Sequence, residues 1–245
     1  MSDFNSLANK DQVLDTPSRS DGIPEHIEDT LRLYGCQSIQ QAGILLGLPQ
    51  VAMATAQVLF HRFWYVSSMR NFGVRDMSMG SLLLASKLEE VQVHIRDLVN
   101  VFDFMSQWRL HNEKDRPPAK RPAEMSDFRY APMGSYSEKY YDIKDAVLAA
   151  EMQLLKRLGF NVYVSLPHAL MINYLQVLGL ADSELQPKGG QGKFNASQCA
   201  WNYLNDACVV ADLSSNASLL PISITCDRMR FNLYAHASRQ RILLV

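Results

Sequence analysis

The sequence is poor in nearly everything that marks an enzyme, a secreted domain or a membrane protein. Its four cysteines are Cys36, Cys199, Cys208 and Cys226, and no two of them stand at the spacing of a CxxC zinc or redox pair. They read as reduced thiols of a nuclear or cytosolic chain. No apolar run approaches the ~20 residues that span a bilayer, so no membrane association is expected. The opening "MSDFNSLANKDQ" is polar and acidic, which does not read as a secretory leader. The histidines, His26, His61, His94, His111, His168 and His236, are scattered, and neither HExxH nor GxSxG occurs. The glycines of "PKGGQGK" lack the strand-to-helix setting of a phosphate loop. No catalytic residue, metal or cofactor is therefore expected. A basic excess is missing too: 24 Lys and Arg face 25 Asp and Glu. Nucleic-acid binders carry a clustered basic face, and here only "KDRPPAKRP" clusters positive charge.

What the sequence does have is apolar material arranged for helices. Hydrophobic residues make up 47% of its 245 positions and charged ones 20%, enough to build a core. Residues 1–24 are polar and turn-rich, and are expected to form a flexible arm. Helical patterns follow in 25–48, in "PQVAMATAQVLFHRFWYV" with Pro49 at its start, in 74–91 and in 95–105. Charge and proline then mark an insertion at about 107–134. Ser135-Tyr-Ser-Glu138 resembles a capping box for a long helix that Gly159 ends. Further helices are predicted from Pro167 and over 197–207. No strand-length alternation precedes residue 208, so the fold class is all-α, built from antiparallel helices.

Projecting these helices isolates two charges. Lys87 has Leu83, Leu84 and Val91 as helical neighbours, and Glu151 sits among Val147, Leu148, Leu154 and Leu155. An unpaired buried charge costs several kcal/mol, so each needs water, a partner charge or a partner protein. In one reading Lys87 pairs with Glu90 and Glu151 snorkels near Lys144. In the other, the two charges form a fork at an apolar rim that grips another molecule.

At these residues the sequence resembles a known family. "LRLYGCQSIQQAGILLGLPQVAMATAQVLFHRFWY", "LLLASKLEEVQVHIRDLVNVF" and "EMQLLKRLGFNVYVSLPHALMINYLQVL" look like a cyclin, most of all like the L-type cyclins of transcription and RNA processing. The resemblance covers roughly residues 16–207 apart from the insertion. It implies a five-helix N-terminal cyclin box over 25–160 and a second repeat over 161–207. It implies a nuclear regulatory subunit of a cyclin-dependent Ser/Thr kinase, with transcription or splicing factors as further partners. It implies that Lys87 and Glu151 contact the kinase's C-helix; Phe102 and Phe104 are candidate aromatic anchors of such an interface, with core packing the other reading of each. Arg62 is expected to brace helices within the first repeat, and Glu90, like Glu89, to cap or pair locally.

The second repeat is expected to be incomplete. Only two of its helices match, and from Cys208 the stretch "CVVADLSSNASLLPIS" departs from the pattern, as a splice variant or a frameshift would produce. Residues 208–245 are thus expected to be a divergent tail, without the Arg/Ser-rich run that many L-type members carry. Two rival readings remain: a cyclin-like transcription factor that holds DNA, and a module that binds a kinase without activating it. The shortage of basic residues argues against direct nucleic-acid binding.

Overall fold

A computed structural model describes residues 10–114, 128–134, 136–179, 184–185 and 194–210. In chain order the helices are α1 (Lys10–Leu14), α2 (Pro17–Ser20), α3 (Glu25–Leu45), α4 (Gln50–Val66), α5 (Val74–Leu88), α6 (Ile95–Lys114), α7 (Glu138–Arg157), α8 (His168–Val177) and α9 (Ala196–Val210). Among the described residues, one antiparallel pair of two-residue strands, β1 (Glu184–Leu185) with β2 (Phe194–Asn195), is the exception to an otherwise helical architecture. The all-α expectation holds. The chain divides into two units, Asp15–Val162 and Met1–Leu14 with Tyr163–Val245.

The unit Asp15–Val162 is organised around α4. Every residue from Ala52 to Tyr65 is buried, so α4 has no solvated face. An amphipathic surface helix would show one. Helices α3, α5 and α7 pack against it, and α6 closes the bundle against α3, α5 and α7. Phe60, Phe63 and Trp64 form its centre, with Trp64 meeting Phe60 edge-on at 5.6 Å and Phe63 at 5.0 Å between ring centroids. Each such side chain contributes about 1.5–3 kcal/mol when buried. Polar residues of α4 are enclosed with the rest. The Cys36 thiol lies 3.1 Å from His61 Nε2, and Gln57 donates to Gln40 Oε1 at 3.1 Å. Arg62 is buried within this helix.

Several boundaries differ from the sequence expectation. Residues 15–24 are not a loose arm. Thr16 caps α2, and the buried Ser18 accepts a hydrogen bond from the Met69 N–H at 3.1 Å. Polar composition suggested solvent, but these hydroxyls are used as internal partners. Helix α6 continues to Lys114 rather than stopping near 105, so the insertion begins later than 107. Residues 128–134 return onto α6, where Phe128 meets Trp108 at 5.2 Å. Helix α7 takes Ser137, not Ser135, as its N-cap, and that side chain makes no capping bond. Gly159 does end α7 in the left-handed region, with the Phe160 N–H reaching Leu155 O at 2.9 Å.

In the second unit, α8 and α9 enclose Met171, Leu175, Ala200 and Leu204, with Trp201 against them. The His168 ring stacks edge-on against Trp201 at 4.8 Å, and its Nε2 lies 3.1 Å from Asn205 Oδ1. Burial pushes His168 below its ordinary pKa, and the Asn205 contact offsets part of that shift. Helix α9 passes residue 207 to end at Val210 and buries Cys208, whose thiol burial pushes up to about 12. The divergent segment therefore starts as helix, because Leu204 and Cys208 continue one i, i+4 stripe. Residues 211–245 and the loop "PKGGQGK" lie outside the described residues. Among the described residues no helix is long and apolar enough to cross a membrane, and no metal-binding group is present.

Candidate functional site

The site is built on the seam between α5 and α7. Gly80 makes the seam close: a Cβ there would stand 2.9 Å from Ala150 Cβ and 3.0 Å from the Glu151 nitrogen. No larger residue leaves the helices at this spacing. From this contact α5 runs on to its C-terminal turn, which carries Lys87.

The two helices bring together the charges that the projection singled out. Lys87 Nζ donates to Glu151 Oε1 at 2.6 Å and to Oε2 at 2.8 Å. The pair is asymmetric: the Glu151 side chain is 11% exposed and the Lys87 side chain 55%. Lys87 is thus less enclosed than its apolar neighbours implied, because its long stem carries the ammonium outward while Glu151 reaches out from below. An ammonium has three donors, and Glu151 engages it with both oxygens, which leaves donor capacity at the surface. Around the pair Leu88, Leu148 and Met152 are exposed. Leu148, Glu151, Met152 and Leu155 follow i, i+3, i+4, i+7 spacing along one side of α7. The arrangement is an ion pair set in an apolar rim. Charge and apolar surface presented side by side in this way suit recognition of another molecule.

The turn after Lys87 carries strain. The Glu90 N–H bonds Lys87 O at 3.3 Å and the Val91 N–H bonds Ser86 O at 2.8 Å, a Schellman ending of α5. Its left-handed residue is Glu90, with φ 56°. Glycine is usual there, and a residue with a Cβ costs roughly 1–2 kcal/mol in that conformation. Glu90 is exposed, and Lys87 turns to Glu151 instead of to Glu90. Glu89 is held by Thr55, whose hydroxyl donates at 2.8 Å. Lys144 sits over the Tyr141 ring at 5.8 Å rather than at Glu151.

The two proposed anchors do not lie open. Phe102 is 2% exposed, a core residue of α6. Phe104 is covered by the returning segment, with Phe128 at 5.7 Å and Tyr130 at 5.4 Å. Phe102 thus takes core packing, and Phe104, half-buried, packs within the domain against Phe128 and Tyr130. The α6 pattern could not separate a core face from a face covered by residues far along the chain. Tyr130 donates to Asn100 O at 3.0 Å. Burial raises its pKa, and the charge and hydrogen bond of Asp103 raise it further.

A second charged cluster escaped sequence reading. Glu28, fully buried, accepts from Arg32 Nε at 3.0 Å and Nη2 at 2.7 Å, from Arg19 Nε at 3.1 Å and from Thr16 Oγ1 at 2.7 Å. Burial alone would raise the Glu28 pKa. The Thr16 hydrogen bond, the Arg32 charge and the Arg32 and Arg19 hydrogen bonds outweigh it and hold the carboxyl below its ordinary value. The i, i+4 spacing of Glu28 and Arg32 was the available signal. The basic stretch "KDRPPAKRP" lies, beyond Lys114, outside the described residues.

Comparison with known proteins bears on the whole arrangement. The family model described as "Cyclin, N-terminal domain" matches residues 4–163. Human (Homo sapiens) Cyclin-L2 is 39% identical over 203 residues, which are 83% of this chain and 34% of that protein. Xenopus laevis Cyclin-L1 is 40% identical over 201 residues, 82% of this chain and 35% of that one. The chain thus spans about a third of the length of these relatives. Among solved structures, a chain of the yeast RNA Pol II CTD kinase CTDK-1 complex superposes with a TM-score of 0.60 at 15% identity, over 92% of this chain and 63% of that one. A chain of the ATP-gamma-S-bound CAK complex of Chaetomium thermophilum gives 0.51 at 18% identity, over 87% and 58%. At these identities the structural likeness speaks for the fold.

Proposed function

The chain belongs to the cyclin family, similar within it to the L-type members, and from that premise we propose that it is the regulatory subunit of a cyclin-dependent Ser/Thr kinase. The observation that carries this reading is the Lys87–Glu151 fork, half-open to solvent in an apolar rim. In this reading Lys87 and Glu151 engage the backbone of the kinase's C-helix, and Leu88, Leu148 and Met152 supply the surrounding apolar contact. The chain does no chemistry itself. A kinase with its C-helix swung out separates the Lys–Glu pair that positions ATP phosphates. A partner that binds the inward state better shifts the population toward it. A specific interface of this kind buries on the order of 1,600 Å². We place it in the nucleus, in RNA polymerase II transcription and RNA processing, in keeping with its similarity to Cyclin-L1 and Cyclin-L2.

The test exchanges the two charges. Lys87→Glu alone is expected to reduce recovery of the kinase in affinity purification by about tenfold or more, which is 1.4 kcal/mol. The double variant Lys87→Glu, Glu151→Lys restores the ion pair and the melting temperature but not the kinase, because the partner meets reversed polarity. Kinase recovery unchanged by either variant overturns the reading.

A further inference from the structure

Thr16-Pro17 is the sole Ser/Thr-Pro dipeptide in the 245 residues, and the structure places its hydroxyl at the centre of a buried ionic cluster. We propose that Thr16 is a phosphorylation site for a proline-directed Ser/Thr kinase, and that its modification unlatches residues 15–24 from the domain.

In the closed state the Thr16 hydroxyl has two tasks. It donates to Glu28 Oε2 at 2.7 Å and accepts from the Arg19 N–H at 3.4 Å as the cap of α2. The segment it starts is held further on by Ser18, through the Met69 N–H, and by Arg19. The site already carries an excess of negative charge. Arg19 faces Glu25 at 3.2 Å, Glu28 at 3.1 Å and Asp29 at 3.9 Å, so three carboxylates share the two guanidiniums of Arg19 and Arg32.

Phosphoryl transfer from ATP forms the Oγ1–P bond and breaks the bond from the γ-phosphorus to the bridging oxygen. ADP leaves with that electron pair, and the hydroxyl proton passes to the kinase's base. The product cannot donate to Glu28, and it adds about −1.5 to −2 charges beside a carboxylate. The phosphate and Glu28 then compete for the same two arginines. Because Thr16 is buried, the kinase acts only on the locally opened segment, and modification traps that opening.

The full chain is incubated with an active proline-directed Ser/Thr kinase and ATP, beside a peptide of residues 8–24 as the open reference. Expected are slow incorporation at Thr16 in the wild type, none in Thr16→Val, and acceleration of about tenfold in Glu28→Gln, which loosens the latch outside the recognised dipeptide. Ser18→Ala, compared with its own peptide, gives the same acceleration should Glu28→Gln not fold. In the phosphorylated wild type, amide hydrogen exchange rises through 15–24 while α4 and α5 stay protected. Two results overturn the proposal: loosened variants modified no faster than the wild type, or a phosphorylated protein whose 15–24 amides stay protected because the arginines have closed over the phosphate.

Discussion

Glu28 and Glu151 are both carboxylates tied to long cations, and the difference between them separates a structural ion pair from an available one. Glu28 is fully sealed, and its main partner Arg32 is 10% exposed. Its oxygens are taken up by Arg32, Arg19 and Thr16 within one domain. Glu151 is nearly as deep, but Lys87 is 55% exposed. Removing a charge from water costs several kcal/mol unless every partner is in place. The sealed cluster meets that condition internally. The open pair meets half of it and leaves the rest to solvent or to another molecule. Depth of one partner therefore says little, and the exposure of the other decides what the pair can do.

The largest test of this contrast removes one acid from the sealed cluster. Glu28→Ala leaves the buried Arg32 guanidinium without its carboxylate and takes Glu28 from Arg19, and is expected to cost about 3–5 kcal/mol in urea unfolding. Lys87→Ala is expected to cost no more than about 1 kcal/mol, as for an exposed pair. Equal losses would break the comparison. Next in size, Gly80→Val forces α5 and α7 apart and is expected to cost about 1–3 kcal/mol by thermal melting. It should weaken kinase recovery together with stability, whereas the charge exchange Lys87→Glu, Glu151→Lys weakens recovery alone.

Acid offers a milder probe of the same cluster. The folded pKa of Glu28 lies below its ordinary value of 4.5. Its stabilisation is complete above that value and is lost as pH falls through the folded pKa. Glu28→Gln should flatten the stability profile below pH ~4.5, in a titration followed by helical circular dichroism. The smallest effect is expected at the strained turn beside Lys87. Glu90→Gly relieves the left-handed cost but adds chain entropy to the unfolded state, for a net gain of up to about 1 kcal/mol. A fall in melting temperature would show that Glu90 makes a contact worth more than its strain.

Much of the fold was legible in local pattern. Helix positions, the Gly159 ending and the two odd charges followed from spacing. The misreadings share one cause. Residues 15–24 looked like solvent-facing arm because hydroxyls and charges count as polar, yet Thr16, Ser18 and Arg19 satisfy groups inside the domain. Phe102 and Phe104 stood open between anchor and core packing, because an aromatic on an apolar helix face does not reveal what covers it.

Periodicity in the sequence determined which residues lie on the same side of a helix, because neighbours three and four apart meet in any α-helix. By itself that produced an all-helical chain with Lys87 and Glu151 at apolar margins. Only the tertiary structure decided that these two, 64 residues apart, share hydrogen bonds, that α4 is enclosed on every side, and that Glu28 is sealed while Lys87 stays open. Those outcomes depend on how closely helices approach, set here by a missing Cβ at Gly80, and no local repeat encodes that distance.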